Sequence, residues 1–336
     1  MFSKKRILIC PLDWGLGHAT RCIPIIRLLL QKNAEVIIAA EGRPMELLKK
    51  EFPDLGFICL KGYGINYPDK GSMVLKMLFS IPKIFFGIYK EHIAIKKIIQ
   101  EKNIDIIISD NRFGLWDKKI KSVFITHQIM IKAPVGEALL RRINLYFINK
   151  YDECWVPDFA GENNLSGDLS HKYSLPENTF FIGAISRFNV IASPAFSSRA
   201  CGKTISPFND KKYDIMTIIS GPEPQRSIFE KLILEQLKQS NLKALVILGK
   251  TELEQKNETF GNIEIVSYLK AEEMQNAILD TKIIIARSGY STIMDLATLG
   301  KKAIFIPTPG QTEQEYLAEY LMKKNITYCI SQDHFS

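Results

Sequence analysis

Residues 282–320 read KIIIARSGYSTIMDLATLGKKAIFIPTPGQTEQEYLAEY, and their pattern is the most informative about the fold. A β-branched run at its start predicts a buried strand. Ser288–Gly289 then predicts a turn into a helix that ends at Gly300. A second apolar run, from Ala303 to Ile306, stops at a proline loop that leads into another helix. This alternation of strand and helix is typical of a parallel sheet with crossover helices, so it predicts an α/β fold.

The two strand-to-helix turns of this stretch carry residues that suit anionic and sugar ligands. Ligands of open α/β sheets bind at the carboxyl ends of the strands. The first turn places bare backbone and hydroxyl groups at a helix N-terminus, where the helix dipole favours an anion. Asp295 follows within the first turn or so of that helix, where a carboxylate could reach a sugar diol. We predict that one ligand is lined by Ser288, Gly289, Ser291, Thr292 and Asp295 from the first turn and by Gln311, Gln314 and Glu315 from the second.

The residues from Ala286 to Tyr320 resemble the donor-binding segment of MurG-type glycosyltransferases of family 28, which have the GT-B fold. The pattern of that family is approximately [ST]-R-[AS]-G-x-x-T-x-x-E-[LI]-x-x-x-G-x-P, followed by a proline loop with paired glutamines. The resemblance implies two Rossmann-like domains whose parallel sheets face each other across a cleft. Two positions differ from the pattern. Asp295 stands where the family has a glutamate on the ribose hydroxyls, and Glu315 replaces the second glutamine.

Another turn motif, GLGHATR (residues 15–21), lies near the start of the chain, after the strand predicted at Arg6–Cys10. A Gly-x-Gly turn between strand and helix could be a dinucleotide fingerprint, but the third glycine position is lost and no acidic residue clearly follows the second strand. The motif instead resembles the Gly-x-Gly-His-x-x-[Arg/Pro] turn of GT-B enzymes. The resemblance implies that Gly15 and Gly17 allow close backbone approach and that His18 faces the interdomain cleft.

Three side chains compete for the role of the base that would deprotonate an acceptor hydroxyl. His18 has the placement that the resemblance implies. Asp110 follows the strand predicted at Ile104–Ser109, at the carboxyl end where catalytic groups lie, although an Asp-Asn pair also forms ordinary turns. Asp13 lies in the turn before His18. The sequence leaves these three alternatives open.

The resemblance also implies further donor-site residues. The turn GPEPQR stands where the family has a glycine-rich loop facing the diphosphate, and it offers Gly221 and Arg226; a simple proline-bounded helix start is the alternative. Arg287 is a second candidate for neutralising the diphosphate. Leu269 lies in the turn whose backbone reads the uracil edge in the family.

The composition is that of a globular protein, with 336 residues, 46% hydrophobic and 24% charged. This length accommodates two α/β domains. Composition and resemblance place an acceptor domain at residues 1–186, a linker at 187–212 and a donor domain at 213–336. The six cysteines are scattered, without the spacing of a metal site or a disulfide framework, so a reducing cytoplasm is expected. No run of about 20 apolar residues is long enough to span a membrane.

The net charge of +8 implies attraction to anions, although no nucleic-acid-binding motif is present. Residues 73–99 combine large apolar side chains with lysines and are interrupted by Pro82 and Gly87. One interpretation is a set of helices packed under the first domain. The other is a hydrophobic patch with a basic rim that docks on anionic lipid. MurG-type enzymes have such a patch there because their acceptor is lipid-linked.

Together these features predict an inverting, metal-independent glycosyltransferase. It would move a hexose or N-acetylhexosamine from a UDP-sugar to a hydroxyl of a cell-envelope glycan or lipid-linked acceptor, in the cytoplasm or at the inner face of the cytoplasmic membrane. No cofactor is expected, because no paired-carboxylate metal motif is evident and helix dipoles and cations can stabilise the leaving group.

Three alternatives stay open. GLGHATR also resembles the turn of the UDP-diacetamido-trideoxyaltrose hydrolases of pseudaminic acid synthesis, which predicts a UDP-sugar hydrolase of the same fold. A non-catalytic nucleotide-sugar-binding or membrane-docking protein is the second alternative, and a nucleic-acid-binding protein ranks last.

Overall fold

The computed structural model describes residues 4–63, 73–133, 136–188, 211–251 and 254–335, with the side chains of α3 described from residue 80 onward. These residues form two compact units, one that reaches Ile185 and one that begins at Ser186. The predicted linker lies mostly outside the described residues, and only residues 187, 188, 211 and 212 of it can be placed.

The described strands of the first unit form one parallel sheet. They are Arg6–Pro11 (β1), Glu35–Ala40 (β2), Gly56–Cys59 (β3), Ile106–Asp110 (β4), Lys121–Ile125 (β5), Glu153–Val156 (β6) and Thr179–Phe181 (β7). Their order across the sheet is β3-β2-β1-β4-β5-β6-β7. In the pairing of β1 with β4, Pro11 lies opposite Asp110. The chain that leaves β1 therefore starts next to this carboxylate.

Helices cover both faces of this sheet, as the near-continuous apolar strands require. The helices are Leu16–Gln31 (α1), Gly42–Glu51 (α2), Met73–Lys102 (α3), Glu137–Ile148 (α4) and Asp168–His171 (α5). One core cluster joins α1 and α2 to β1 and β2, and another joins Ile95 of α3 to the opposite face.

Two sequence predictions about these helices are wrong. Pro82 and Gly87 do not break residues 73–99, because α3 is one helix from Met73 to Lys102. A proline inside a helix costs roughly 3 kcal/mol, and the buried residues Ile88 and Ile95 oppose this cost by packing α3 along the unit. The GLGHATR segment predicts a turn with an apolar helix after it, from Cys22 to Leu30, but α1 already begins at Leu16, and it contains Pro24.

The second unit confirms the strand–helix alternation predicted for its last part. Its described strands are Tyr213–Ile218 (β8), Ala244–Ile247 (β9), Asn257–Phe260 (β10), Ile263–Val266 (β11), Thr281–Ala286 (β12), Ile304–Phe305 (β13) and Tyr328–Cys329 (β14). They pair in the order β10-β11-β9-β8-β12-β13-β14, and within this described sheet the pair β10–β11 is antiparallel.

The described helices of the second unit are Gln225–Lys238 (α6), Ala271–Leu279 (α7), Tyr290–Thr298 (α8), Thr312–Lys323 (α9) and a 3₁₀ turn at Gln332–His334. Its core includes Phe229 and Ile233 of α6 together with Val246 and Ile306. Phe335 packs against this core.

Candidate active site

His18, Arg21 and Asp110 meet at the carboxyl end of the first sheet. The chain leaves β1 and enters α1 through Gly15, whose φ of 131° is a backbone conformation that favours glycine. His18 and Arg21 are three positions apart on α1, so they lie on the same face of the helix. Asp110 is the last residue of β4 and lies within hydrogen-bond distance of both side chains.

Asp110 is fully buried, and its two oxygens accept hydrogen bonds from α1. Arg21 Nε donates to Oδ2 at 2.8 Å, and Arg21 Nη2 donates to Oδ1. His18 Nδ1 lies 2.9 Å from the same Oδ1. Burial alone would raise the pKa of Asp110, but the charges and hydrogen bonds of Arg21 and His18 outweigh burial and hold that pKa well below its usual range. Asp110 is therefore ionised at neutral pH.

His18 keeps one edge turned away from Asp110. An ionised carboxylate only accepts hydrogen bonds, so a bond to Asp110 places the proton of a neutral His18 on Nδ1 and leaves the lone pair on Nε2. The His18 side chain is 16% exposed, whereas that of Asp110 is 0% exposed. The prediction that Asp110 is itself the base does not fit this burial. Its position suits it to orient His18 instead.

Asp13, the third predicted base, lies beside the loop that follows β3. A side chain at Gly62 would collide with the Asp13 carboxylate. Asp13 Oδ1 is buried without a hydrogen-bond partner in the described part of the chain. Burial first, and then the nearby charge of Glu41, raise the pKa of Asp13 above its ordinary value. Among the described contacts, no hydrogen bond joins Asp13 to His18 or Asp110.

A second buried ion pair supports the loop that follows Asp110. Arg112 donates from Nε to Glu91 of α3 at 2.7 Å and from its terminal nitrogens to the carbonyls of Leu60 and Lys61. Tyr63 donates to the other carboxylate oxygen of Glu91 at 2.9 Å. This network joins the end of β4 to α3 and to the loop after β3. The backbone next to Asp110 is therefore held firmly in place.

In the second unit, the proline loop after β13 is held against the N-terminus of α8. Ser288 Oγ donates to the carbonyl of Gln314 at 2.7 Å, and Gln314 Oε1 accepts the backbone N–H of Thr308 at 2.9 Å. Glu315 accepts the backbone N–H of Gly310 at 2.8 Å. The structure thus brings the predicted residues Ser288, Gln314 and Glu315 together, and their polar side-chain atoms bind the backbone of this same corner.

The same corner contains buried polar atoms that lack a protein partner. Within the described ranges, Thr308 Oγ1 and Gln311 Oε1 have no hydrogen-bond partner. Gly221 has a φ of 110°, and a Cβ built on it would lie 3.9 Å from Thr308 Oγ1. The turn after β8 and the loop after β13 therefore approach each other, with a hydroxyl opposite bare backbone.

The other predicted residues lie at the starts of helices or in turns. Gly289 is the N-cap of α8, and Ser291 and Thr292 lie half-buried in its first turn. Leu269 is half-buried between β11 and α7. Gly17 lies in the first turn of α1, where its carbonyl accepts the Thr20 hydroxyl at 3.0 Å.

Asp295 is largely occupied by partners from its own unit. Its Oδ1 accepts the Ser186 hydroxyl at 2.7 Å and the Arg187 backbone N–H at 3.3 Å, and its Oδ2 accepts Arg187 Nε at 2.9 Å. A carboxylate has about four acceptor positions, so these three bonds leave one on Oδ2. The prediction that this carboxylate reaches a sugar diol therefore depends on Oδ2, because Oδ1 already accepts two hydrogen bonds.

The two arginines predicted to neutralise a diphosphate are bound inside the unit. Arg287 is fully buried, donates to the carbonyls of Gln225, Ile306 and Pro307, and has its guanidinium carbon 3.9 Å from the ring centre of Phe229. Burial lowers the pKa of Arg287 to about 9, which still leaves it charged at neutral pH.

Arg226 is 3% exposed and forms ion pairs with Glu223 and Glu230, each at 2.6 Å. These guanidinium groups hold secondary structure elements together, and contact of either arginine with a diphosphate stays a prediction.

Comparison with known proteins decides the family. Residues 222–336 match the glycosyltransferase family 28 C-terminal domain. Over 273 residues the chain is 30% identical to the UDP-N-acetylglucosamine--N-acetylmuramyl-(pentapeptide) pyrophosphoryl-undecaprenol N-acetylglucosamine transferase of Rickettsia bellii (strain RML369-C), covering 77% of this chain and 70% of that protein. The chain belongs to glycosyltransferase family 28. A second relative of this glycosyltransferase, 23% identical over 94% of the chain and 81% of the relative, is an uncharacterized glycosyltransferase of Methanosarcina acetivorans.

Solved structures agree with this assignment at the level of the fold. The MurG structure from Acinetobacter baumannii has a TM-score of 0.55 at 14% identity, covering 99% of this chain and 87% of that one. The glycotransferase of kitacinnamycin has a TM-score of 0.61 at 13% identity, covering 98% and 87%. These neighbours confirm the predicted GT-B fold of the glycosyltransferase, built from two parallel-sheet α/β domains.

An exposed aromatic surface lies on the first unit of the glycosyltransferase. Phe85 and Phe86 of α3 and Tyr146 of α4 are 44%, 57% and 58% exposed. The ring of Phe85 lies 6.0 Å from that of Phe147, which places the two helices side by side. Lysines 90 and 150 lie over the rings of Phe86 and Tyr146, each at 4.4 Å. We call these exposed rings and the two lysines the aromatic surface.

None of the described helices is both long and apolar enough to cross a membrane.

The sequence did not predict which partners several residues of these clusters would have. Arg21 stands within the quoted GLGHATR motif, but nothing local shows that it binds Asp110 from 89 positions away. His127 follows β5 and contacts Arg21 across 106 positions. Arg187 follows β7 along the chain, and its partner Asp295 is 108 positions away. Of the described residues, no group of three or more His, Cys, Asp or Glu side chains is arranged to hold a metal ion.

Proposed function

We propose that this glycosyltransferase moves a hexose or N-acetylhexosamine from a UDP-sugar to a hydroxyl of a lipid-linked or cell-envelope acceptor, with inversion at the anomeric carbon. The observation that carries the proposal is the half-buried His18 with the ionised Asp110 behind it. The acceptor oxygen attacks the anomeric carbon from the face opposite the diphosphate, and its proton passes to His18 Nε2. As the new C–O bond forms, the bond to the diphosphate oxygen breaks and UDP leaves.

The donor is proposed to bind at the carboxyl ends of β8, β12 and β13. The N-terminus of α8, with Gly289, Ser291 and Thr292, provides the positive end of a helix dipole. Thr308 Oγ1, which lacks a partner in the described chain and faces the bare backbone of Gly221, can donate to a diphosphate oxygen. Oriented donors of this kind stabilise a leaving group without a metal ion, which supports a metal-independent transfer.

The remaining parts of the nucleotide are assigned to neighbouring groups. The free acceptor position on Asp295 Oδ2 suits one ribose hydroxyl. The backbone around Leu269 follows β11 at the same end of the sheet and suits the uracil edge. Gln311 Oε1 and the Gln314–Thr308 contact lie on the proline loop, where they would face the sugar.

The acceptor is proposed to be lipid-linked, and the aromatic surface supports this. The Rickettsia bellii relative is named for transfer to a pyrophosphoryl-undecaprenol acceptor. Exposed aromatic rings flanked by lysines suit the interface of an anionic bilayer. The enzyme would then work in the cytoplasm at the inner face of the cytoplasmic membrane.

The direct test is a donor panel with UDP release as the readout. UDP-glucose, UDP-galactose, UDP-N-acetylglucosamine and UDP-N-acetylgalactosamine are each incubated with the enzyme, with and without a polyprenyl-diphosphate-linked sugar, in buffer containing EDTA. The proposal expects acceptor-dependent UDP release that EDTA does not abolish, and a β-linked product by NMR. Equally fast release without acceptor would instead support the UDP-sugar hydrolase. Loss of activity in EDTA with recovery on adding Mg²⁺ would refute the metal-independent mechanism.

The membrane assignment is tested by vesicle sedimentation. Vesicles of phosphatidylglycerol mixed with phosphatidylcholine are compared with phosphatidylcholine alone. We expect binding to the anionic vesicles, and weaker binding for the Phe85→Ser/Phe86→Ser variant. The matched control is Ile228→Ser, which removes an apolar side chain of similar exposure, 42%, from the second unit. Equal binding by all three proteins would remove the aromatic surface from the proposal.

A further inference from the structure

Arg21 joins two histidines as well as Asp110. Its Nη1 lies 2.9 Å from His127 Nδ1, and its Nη2 lies 3.0 Å from His18 Nδ1. The Arg21 side chain is 1% exposed, and His127 is 6% exposed. One buried guanidinium therefore reaches from α1 to β4 and to the segment after β5, at the place where we assign the base.

The chemistry of Arg21 and Asp110 imposes opposite requirements on the two imidazoles. A guanidinium has five N–H donors and no acceptor, so His127 Nδ1 must offer a lone pair to Arg21. A neutral His127 then carries its proton on Nε2. His18 Nδ1 lies beside the ionised Asp110, which can only accept, so His18 carries its proton on Nδ1. Arg21 Nη2 already donates to Asp110 Oδ1, so it does not need the lone pair of His18.

The backbone that presents His127 is firmly held. Gln128 N–H donates to the Thr126 hydroxyl at 3.0 Å. Asn144 of α4 donates to the carbonyls of Gln128 at 2.8 Å and Ile129 at 3.0 Å. His127 Nδ1 is thus an acceptor on a fixed support, which suits it to hold a guanidinium in one plane.

We propose that His127 is a positioning residue for the base His18, acting through Arg21. The lone pair of His127 Nδ1 holds one end of the guanidinium, and the other end binds both oxygens of Asp110. The plane of Asp110, and with it the ring of His18 and its proton on Nδ1, then follows from the plane of Arg21. The base role of His18 rests on the proposed function, but the two opposite tautomers rest on the geometry alone.

The first test reads the tautomers directly and needs no substrate. The protein contains five histidines, so ¹⁵N-histidine labelling gives a small set of long-range ¹H–¹⁵N patterns. His18→Gln and His127→Asn assign the two residues. At a pH where both rings are neutral, we expect His18 to show N–H at Nδ1 and His127 to show N–H at Nε2. The same tautomer in both rings would overturn the proposal, whether or not the enzyme transfers a sugar.

The second test uses two substitutions of similar size and shape, one that keeps a hydrogen-bond acceptor and one that does not. The side-chain oxygen of His127→Asn can accept from Arg21, whereas His127→Leu cannot accept. We expect His127→Leu to lower kcat about 10–100-fold, as for loss of a group that orients an active-site residue, with KM within about twofold. Because Asn restores the acceptor, His127→Asn should keep kcat within about threefold of the wild type.

Equal losses in His127→Asn and His127→Leu, or a change in KM alone, would refute positioning through Arg21. Thermal unfolding of both variants shows whether folding accounts for a loss. If the wild type transfers no sugar, the proposed function fails, and the tautomer measurement still decides the inference.

Discussion

The two units of the molecule use buried charge differently. In the first unit, the Arg21–Asp110 pair lies directly behind His18, a side chain with exposed surface. In the second unit, Arg187 binds Asp295, and Arg287 binds backbone carbonyls of neighbouring loops. The first arrangement orients a group that faces outward. The second arrangement joins neighbouring loops and strands of the unit to one another.

We infer that a buried charged residue of a recognisable motif serves the chemistry where its ion pair leaves a reactive atom of a neighbouring side chain exposed. The two units also differ in the pKa of their buried aspartates, Asp110 and Asp295. Burial would raise the pKa of both carboxyls. Arg21 and His18 outweigh burial at Asp110, so its pKa falls, whereas Arg187 and Ser186 do not outweigh it at Asp295, so its pKa rises.

Removal of the proposed base from the first unit should have the strongest consequence. We expect His18→Ala to lower kcat about 10²–10⁴-fold, because the acceptor hydroxyl loses its base. The control is His334→Ala, which removes an exposed histidine from the second unit. UDP release by both variants, with thermal unfolding in parallel, makes the measurement. A His18→Ala enzyme with wild-type kcat would leave the Asp110 cluster without a catalytic role.

The next effect is on stability. Asp110→Asn should lower the free energy of unfolding by about 3–5 kcal/mol, because Arg21 keeps its buried charge without a compensating carboxylate. The double variant Arg21→Met/Asp110→Leu removes both charges and should cost less than the single one. Denaturant unfolding of the three proteins measures this. A double variant less stable than Asp110→Asn would show that the pair itself, and not the orphaned charge, sets the cost.

Substitution of Arg287 tests whether the buried cation of the second unit contributes to stability or to UDP binding. Arg287→Met should lower the free energy of unfolding by about 1–3 kcal/mol, since several carbonyls lose a donor. The dissociation constant of UDP should stay within about twofold, a change that corresponds to less than 0.5 kcal/mol. Lys302→Met, an exposed cation just before β13, is the control for charge alone. Calorimetry showing a large loss of UDP affinity in a stable Arg287→Met protein would restore Arg287 as a diphosphate ligand.

The contributions of Asp110 and Asp295 to stability should differ, by a smaller amount, in their dependence on pH. The folded-state pKa of Asp110 is depressed, so its contribution to stability is present above the unfolded value of about 3.9 and is lost as pH falls through the folded value. The folded-state pKa of Asp295 is raised, so stability falls as pH rises from about 3.9 through the folded value.

The destabilisation caused by Asp110→Asn should therefore shrink as pH falls below about 4, whereas that caused by Asp295→Asn should grow as pH falls through the folded pKa of Asp295 towards about 3.9. Thermal unfolding of the two variants and the wild type across the acidic range checks these opposite slopes. Slopes of the same sign would show that the two carboxylates do not differ in the way their partners indicate.

Much of the fold follows from local patterns in the chain. The apolar runs at Ile283–Ile285 and Ala303–Ile306 and the glycine at 300 predicted strand, helix and strand, and the structure has β12, α8 and β13 there. Hydrophobic periodicity and turn residues act over a few positions, so one sequence is enough to read them. The GLGHATR and ARSG turns were found for the same reason, because residues that shape a turn must be neighbours along the chain.

Packing decided what local patterns could not. Pro82 predicts a broken helix, yet α3 is continuous, since its buried face packs along the whole unit. Arg226 and Arg287 have the charge that a diphosphate attracts, but folding placed carboxylates and carbonyls around them.

The residues of GLGHATR and the aspartate at the end of β4 were therefore visible in the sequence, while their meeting was not. Arg21, His127 and Asp110 come from α1, the segment after β5 and β4, and sheet order alone brings them within hydrogen-bond distance. Which partner a buried charge selects depends on strand order and distance in space, since electrostatic energy depends on separation and burial and not on position along the chain.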